Sequence, residues 1–130
     1  MNMPSKSRKV VLVDDNEVIR MALRAILRQA GFDVVGEARD GEGVADLVEK
    51  VRPDVVCLDV SMPGRSGLEV LGELRDRFPK VKVLMVTAHS DRETVSQVVQ
   101  QGAAGMVLKP FNAARVIETM NRVLGLESPA

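Results

Sequence analysis

The sequence predicts an α/β fold in which helices cover both faces of a five-stranded parallel sheet, an arrangement called doubly wound. Short aliphatic segments alternate with longer segments whose apolar residues recur every three or four positions. Five such pairs follow one another with short connections, which favours parallel strands joined by right-handed crossovers. Several of the aliphatic segments end on charged or hydroxyl side chains, at the edge where open α/β sheets bind their ligands.

The first half of the chain supplies two strand–helix pairs. The strands are predicted at residues 9–13 and 32–38, and the helices at residues 16–30 and 41–51. Both strands contain adjacent valines, and each helix carries its aliphatic residues on one face. Gly31 follows the first helix, where a glycine commonly ends a helix.

The third strand, residues 55–58, is the segment around which the prediction is built. Four consecutive apolar residues after Pro53 indicate a strand buried on both faces, and the run stops on Asp59. Cys57 inside this run is expected to be a small core residue rather than a reactive thiol. Asp59 could cap the next helix, but Ser66 lies nearer to that helix and is the better candidate.

The second half of the chain continues the alternation. Helices are predicted at residues 68–78, 91–101 and 113–124, and strands at residues 81–87 and 105–109. Pro79 stops the third helix, Asp91 caps the fourth, and Gly102 ends it. The strand order 2-1-3-4-5 would place the switch point of the sheet between strands one and three.

Composition limits the class of protein. The 130 residues suffice for one domain, predicted at residues 9–125 between flexible tails at 1–8 and 126–130. Lys plus Arg and Asp plus Glu both number 18, so charge alone recruits neither nucleic acid nor an anionic membrane. The aliphatic runs are too short for a signal peptide or a membrane span, which indicates a cytoplasmic protein.

Five polar residues mark the ends of four predicted strands. They are Asp14 and Asp15 after strand one, Asp59 after strand three, Thr87 at the end of strand four and Lys109 at the end of strand five. The same ends of parallel strands lie on one edge of the sheet, so these residues are expected to be neighbours.

The combination of three carboxylates with one ammonium group suggests a metal site. About two net negative charges in a partly desolvated pocket require protons or a cation for compensation. Oxygen ligands without nearby Cys or His favour Mg²⁺ or Mn²⁺, and Mg²⁺ commonly joins one or two carboxylates to a phosphate. Thr87 and Lys109 could hold phosphoryl oxygens, and Asp59 is the candidate nucleophile because adjacent Asp14 and Asp15 suit a metal.

Each residue also has a structural interpretation. Asp14 or Asp15 could cap the first helix, Thr87 could be an ordinary strand residue, and Lys109 could extend into solvent. That all of them occupy one edge of the sheet favours the functional interpretation.

The chain resembles the receiver domain of bacterial two-component response regulators from Lys9 to Leu124. The matching motifs are Val-Asp14-Asp15-Asn, Leu-Asp59-Val-Ser-Met62-Pro63-Gly64 followed by Gly67, Val-Thr87-Ala88 and Gly-Met-Val-Leu-Lys109-Pro110-Phe111. The resemblance implies a flavodoxin-like fold and a phosphoryl group accepted on Asp59 from a phosphohistidine. It implies Mg²⁺ bound by Asp15, Asp59 and the backbone carbonyl of Ser61, with Asp14 acting largely through water.

The resemblance also implies a switch. Thr87 and Lys109 would contact the phosphoryl group, Ala88 and Pro110 would belong with them to the switch region, and the Lys109–Pro110 bond is commonly cis in the family. Where the family usually has Tyr or Phe as the rotamer switch, this chain has Met106. His89 occupies a position that influences dephosphorylation in the family, although it could be an ordinary solvated loop residue.

The resulting expectation is a stand-alone signalling switch that catalyses only its own phosphotransfer and dephosphorylation. Its expected partners are a sensor histidine kinase or phosphotransfer protein and a downstream protein bound by the helix 4–strand 5–helix 5 face. Alternatives are a receiver cut from a longer regulator with a DNA-binding or enzymatic domain, and a docking module independent of phosphorylation. A phosphoaspartate hydrolase of the haloacid dehalogenase type is a further alternative, but it would need an Asp-x-Asp motif after strand one and a cap domain.

Overall fold

The computed structural model describes residues 7–126, and it contains the five strands and five helices that the sequence predicts. The strands are β1 (Lys9–Val13), β2 (Asp33–Ala38), β3 (Val55–Leu58), β4 (Lys82–Thr87) and β5 (Gly105–Leu108). The helices are α1 (Glu17–Gln29), α2 (Val44–Val51), α3 (Gly67–Arg77), α4 (Arg92–Gln100) and α5 (Ala113–Leu124). The predicted tails fall mostly on residues 1–6 and 127–130, which lie outside the described residues.

All neighbouring strands pair in parallel, in the order β2-β1-β3-β4-β5. The predicted doubly wound, flavodoxin-like fold is therefore confirmed. The order reverses between β1 and β3, so the carboxyl ends of these two strands border the crevice where such sheets bind ligands. Within residues 7–126, no helix is long and apolar enough to cross a membrane.

Helices pack on both faces of the sheet and form two apolar clusters. On one face, Leu27 of α1 and Met120 of α5 are fully buried against the strands. On the other face, Val48 of α2, Leu71 of α3 and Val98 of α4 form the second cluster. This burial on both sides explains why β3 is apolar at all four positions.

Local signals in the sequence determine the helix ends. Asn16, Ser66 and Asp91 accept hydrogen bonds from backbone N–H groups of the first turns of α1, α3 and α4. Ser66, and not Asp59, therefore caps α3, as predicted. The start of α2 was predicted too early, because Gly43 adopts a left-handed conformation with φ of 75° and the helix begins only at Val44.

Cys57 is an ordinary core residue, as predicted. It is 2% exposed, and burial raises the pKa of its thiol to about 12. The thiol is therefore protonated at neutral pH and lacks the thiolate that reactive cysteines need.

Candidate functional site

The carboxyl edge of the sheet gathers the polar residues that the sequence singled out. Asp14 directly follows β1, Asp59 directly follows β3, and Thr87 is the last residue of β4. Lys109 was predicted to end the fifth strand, but β5 ends at Leu108 and Lys109 is the first residue of the loop. Its backbone N–H still donates to the carbonyl of Thr87 at 2.9 Å, so the sheet fixes its position.

The backbone N–H and both carboxylate oxygens of Asp14 have hydrogen-bond partners. Its backbone N–H donates to the carbonyl of Ala38 at 3.0 Å, and its Oδ1 accepts from the backbone N–H of Asn16 at 2.9 Å. Its Oδ2 accepts from Lys109 Nζ at 2.8 Å, a contact across 95 positions of sequence. With 2% exposure, this carboxylate is buried and paired with an ammonium group.

Asp59 is buried close to the same lysine. The side chain of Lys109 reaches it with 3.5 Å between Nζ and Oδ2, and Asp59 is 5% exposed. Burial raises the pKa of the Asp59 carboxyl, and the negative charge of Asp14 raises it further. Lys109 and the backbone N–H of Ser61 oppose this pKa shift without cancelling it. The surroundings of Asp59 therefore disfavour its ionised form, which an additional cation would stabilise.

The carboxylates of Asp14, Asp15 and Asp59 can offer one oxygen each to a single cation. These three oxygens lie within 4.8 Å of one another, with Asp14 and Asp59 buried and Asp15 exposed. An all-oxygen set with an exposed side suits Mg²⁺ or Mn²⁺, which retain water ligands. The residues present therefore fit the predicted metal.

Thr87 and the loop after β4 border the site. Thr87 is completely buried, and its Oγ1 accepts from the backbone N–H of His89 at 3.2 Å. Ala88 and His89 are exposed. The Lys109–Pro110 peptide bond on the other side is cis, as the resemblance implied.

Met106 lies on β5, the edge strand beyond Thr87. It is half-buried, packs against the apolar cluster under α4, and is paired in register with Met85 of β4. It also lines an open groove of about 500 Å³ with Ser90, Val95, Leu108, Pro110, Asn112 and Arg115. Met106, at the position of the family's rotamer switch, therefore contacts both the core and the surface groove.

The raised pKa of Asp59 predicts how stability depends on pH in the metal-free protein. The folded state holds the Asp59 proton more tightly than the unfolded state. Once the pH exceeds the ordinary carboxyl pKa, the carboxyl is ionised in the unfolded chain, and the cost of burying this charge or of taking up a proton lowers the stability of the folded state. Asp59→Asn should therefore be more stable than the wild type at neutral pH, and the difference should vanish below the ordinary pKa. Urea unfolding of both proteins measures this difference in stability between roughly pH 3 and pH 7, a range that includes the ordinary carboxyl pKa. A difference that does not change with pH would contradict the prediction.

One group near the site was missed in the sequence. Arg20 of α1 donates from Nη1 to the backbone carbonyl of Asp14 at 2.6 Å, and its Nε lies 3.3 Å from Glu37 Oε1 of β2. The one-turn spacing of Arg20 and Arg24 placed both on one side of α1, but nothing in the sequence pointed to Glu37 as their shared partner.

The comparison with known families assigns this arrangement to a class of signalling domain. The sequence profile of the response regulator receiver domain matches residues 10–121. The chain belongs to this family, the receiver domains of two-component systems.

Known proteins are similar to this chain over nearly all of its described residues. Protein CcdB of Bacillus subtilis is 39% identical over 117 residues, which are 90% of this chain and 98% of that protein. Chemotaxis protein CheY of Thermotoga maritima is 32% identical over 116 residues, 89% of this chain and 97% of that protein. A solved CheX–CheY–BeF₃–Mg²⁺ complex from Borrelia burgdorferi contains a chain with a TM-score of 0.86 and 26% identity, over 89% of this chain and 88% of that one.

Proposed function

We propose that the protein is a phosphorylation-driven switch in which Asp59 accepts a phosphoryl group from a phosphohistidine of a sensor kinase or phosphotransfer protein. The observation that carries the proposal is the contact of one ammonium group, Lys109 Nζ, with both Asp14 and Asp59 beside a third carboxylate. This arrangement pairs a buried nucleophile with a cation site and a fixed positive charge, as phosphoryl transfer requires.

Each residue has a defined part in the transfer. An ionised oxygen of Asp59 attacks phosphorus, the phosphorus–nitrogen bond breaks, and the imidazole of the donor leaves with the bonding pair. Lys109 and the hydroxyl of Thr87 hold phosphoryl oxygens. Asp14, Asp15, Asp59 and the backbone carbonyl of Ser61 are the proposed metal-binding groups, and bound Mg²⁺ would supply compensation for the charge of the phosphoryl oxygens.

The family assignment separates this proposal from the hydrolase alternative. The receiver profile covers residues 10–121, and Asp14 and Asp15 are adjacent after β1 rather than spaced as Asp-x-Asp. The proposal is therefore a receiver whose chemistry is limited to its own phosphorylation and dephosphorylation.

Phosphorylation is expected to require a divalent cation. The increment of one phosphoryl group in intact mass should appear after incubation with acetyl phosphate and Mg²⁺, and excess chelator should abolish it. Asp15→Ala should lose both Mg²⁺ binding and labelling, whereas Asp14→Ala should weaken them, because Asp14 acts mainly through Lys109 and water. The control is Asp33→Ala, which removes an exposed carboxylate at the start of β2, where the amino ends of the strands lie. Full labelling of the wild type in chelator would contradict the proposal.

The output surface is proposed to be the face formed by α4, β5 and α5. The hydroxyl of Thr87 would move from its bond with the His89 backbone toward the phosphoryl group, and Met106 would occupy the space it leaves. Exposed apolar side chains lie on this face, with Val99 68% and Leu108 45% exposed. A downstream protein would contact them together with Arg92, Gln97, Gln100 and Met106.

Beryllofluoride and Mg²⁺ should therefore shift backbone amide resonances beyond the site itself. The expected shifts extend from Ser90 through α4 to Met106. Because methionine is flexible and has no hydroxyl to lock its position, the response should be graded rather than sharply two-state. Shifts confined to the loops around Asp14, Asp59 and Lys109 would contradict transmission to this face.

A further inference from the structure

We infer that Arg20 is a positioning residue for the cation site, which it serves by fixing the peptide between Asp14 and Asp15. The inference rests on the proposed function, because it concerns the same carboxylates. Arg20 is 17% exposed and bridges three elements: it belongs to α1, pairs with β2, and bonds to the loop after β1.

Arg20 uses two sides of its guanidinium group at once. Nε faces Glu37 Oε1 at 3.3 Å, and Nη1 donates to the carbonyl oxygen of Asp14 at 2.6 Å. Glu37 is itself held by Arg24, whose Nη1 lies 2.5 Å from the second carboxylate oxygen. Glu37 therefore anchors Arg20 in the orientation that reaches the loop.

The bond to the Asp14 carbonyl acts on Asp15 through the planarity of the peptide group. The peptide plane that carries this oxygen also carries the nitrogen and Cα of Asp15. On the other side of Asp14, its N–H is fixed by Ala38. Since Asp15 is exposed, its carboxylate has little packing of its own to hold it. The orientation of this plane therefore fixes the backbone position from which the Asp15 side chain starts.

The positive charge of Arg20 and its positioning role predict opposite changes in Mg²⁺ affinity when Arg20 is removed. A positive group beside a cation site opposes cation binding, so its removal should tighten Mg²⁺ binding if charge were the main effect. If positioning is the main effect, the removal should weaken Mg²⁺ binding. Lysine keeps the charge but cannot make both directed contacts, so Arg20→Lys should also weaken it.

The experiment measures Mg²⁺ affinity by titration calorimetry for the wild type, Arg20→Met, Arg20→Lys and Arg28→Met. Arg28→Met is the matched control, because it removes an exposed arginine from the last turn of the same helix, away from Glu37 and Asp14. The expected result is about tenfold weaker Mg²⁺ binding for both Arg20 variants, as for other residues that orient metal ligands, and an unchanged affinity for Arg28→Met. High Mg²⁺ should restore phosphorylation of Arg20→Met by acetyl phosphate.

Three results would overturn the inference. Mg²⁺ binding by Arg20→Met that equals or exceeds that of the wild type would do so. Wild-type affinity in Arg20→Lys would do so too, because it would show that the two directed contacts of the guanidinium group are not needed. Equal weakening in Arg28→Met would assign the effect to the general stability of α1. In each of these cases, loss of binding in Asp15→Ala would leave the proposed function standing, whereas a wild type that binds no Mg²⁺ would end both.

Discussion

Gly67→Ala is expected to destabilise the protein by about 3 kcal/mol, because the helix start at Gly67 has no room for a side chain. A Cβ atom at Gly67 would lie 1.9 Å from the backbone oxygen of Asp59 and 2.8 Å from Cα of Val60. These are backbone atoms of the segment that carries the proposed phosphoacceptor, and Gly67 N–H donates to the carbonyl of Val60 at 2.7 Å. Accommodation of the methyl group therefore requires α3 to separate from that segment.

Gly72→Ala in the same helix is the matched control. A Cβ atom at Gly72 would meet only Gln101 Oε1, at an ordinary 3.5 Å. Alanine should therefore stabilise this position by about 0.5 to 1 kcal/mol through its higher helix propensity. Urea unfolding of both variants measures the two effects, and a Gly67→Ala variant as stable as the wild type would contradict the described packing.

Asp59→Asn is expected to abolish phosphorylation completely. The amide nitrogen and oxygen of asparagine keep the shape of the side chain but remove the anionic nucleophile, and no other described carboxylate contacts Lys109 except Asp14. Because Asp14 is already fixed by Lys109 and Asn16, it is not expected to substitute. Intact mass after incubation with acetyl phosphate and Mg²⁺ is the measurement.

The control for this variant is Asp54→Asn. Asp54 directly precedes β3, whereas Asp59 directly follows it. Asp54 accepts from the backbone N–H of Lys9 at 2.8 Å and lies at the edge away from the site. This variant should be labelled as fully as the wild type. Undiminished labelling of Asp59→Asn would show that another residue accepts the phosphoryl group.

The sequence predicted the strands and the edge residues because their signals are local. Four apolar residues that stop at Asp59 define both the buried strand and the carboxylate at its end. Once parallel pairing was inferred, the placement of Lys109 and Asp14 at the same edge followed from topology, although the two are far apart in the chain. Their direct contact at 2.8 Å was not predicted.

Two features could not be read from local signals. The start of α2 depends on the left-handed conformation of Gly43, and glycine is compatible with many conformations. The contacts of Arg20 depend on how α1 packs against β2, which determines that Glu37 and the Asp14 carbonyl are both within reach. Such tertiary geometry has no periodic pattern in the sequence.

The location of the label in the wild-type protein tests the central claim most directly. Borohydride reduction of the protein labelled with acetyl phosphate and Mg²⁺ converts a phosphorylated aspartate into homoserine, and peptide sequencing by mass spectrometry identifies the position. The account predicts homoserine at Asp59 alone. Homoserine at Asp14 or Asp15, or none at any aspartate of a fully folded protein, would contradict it.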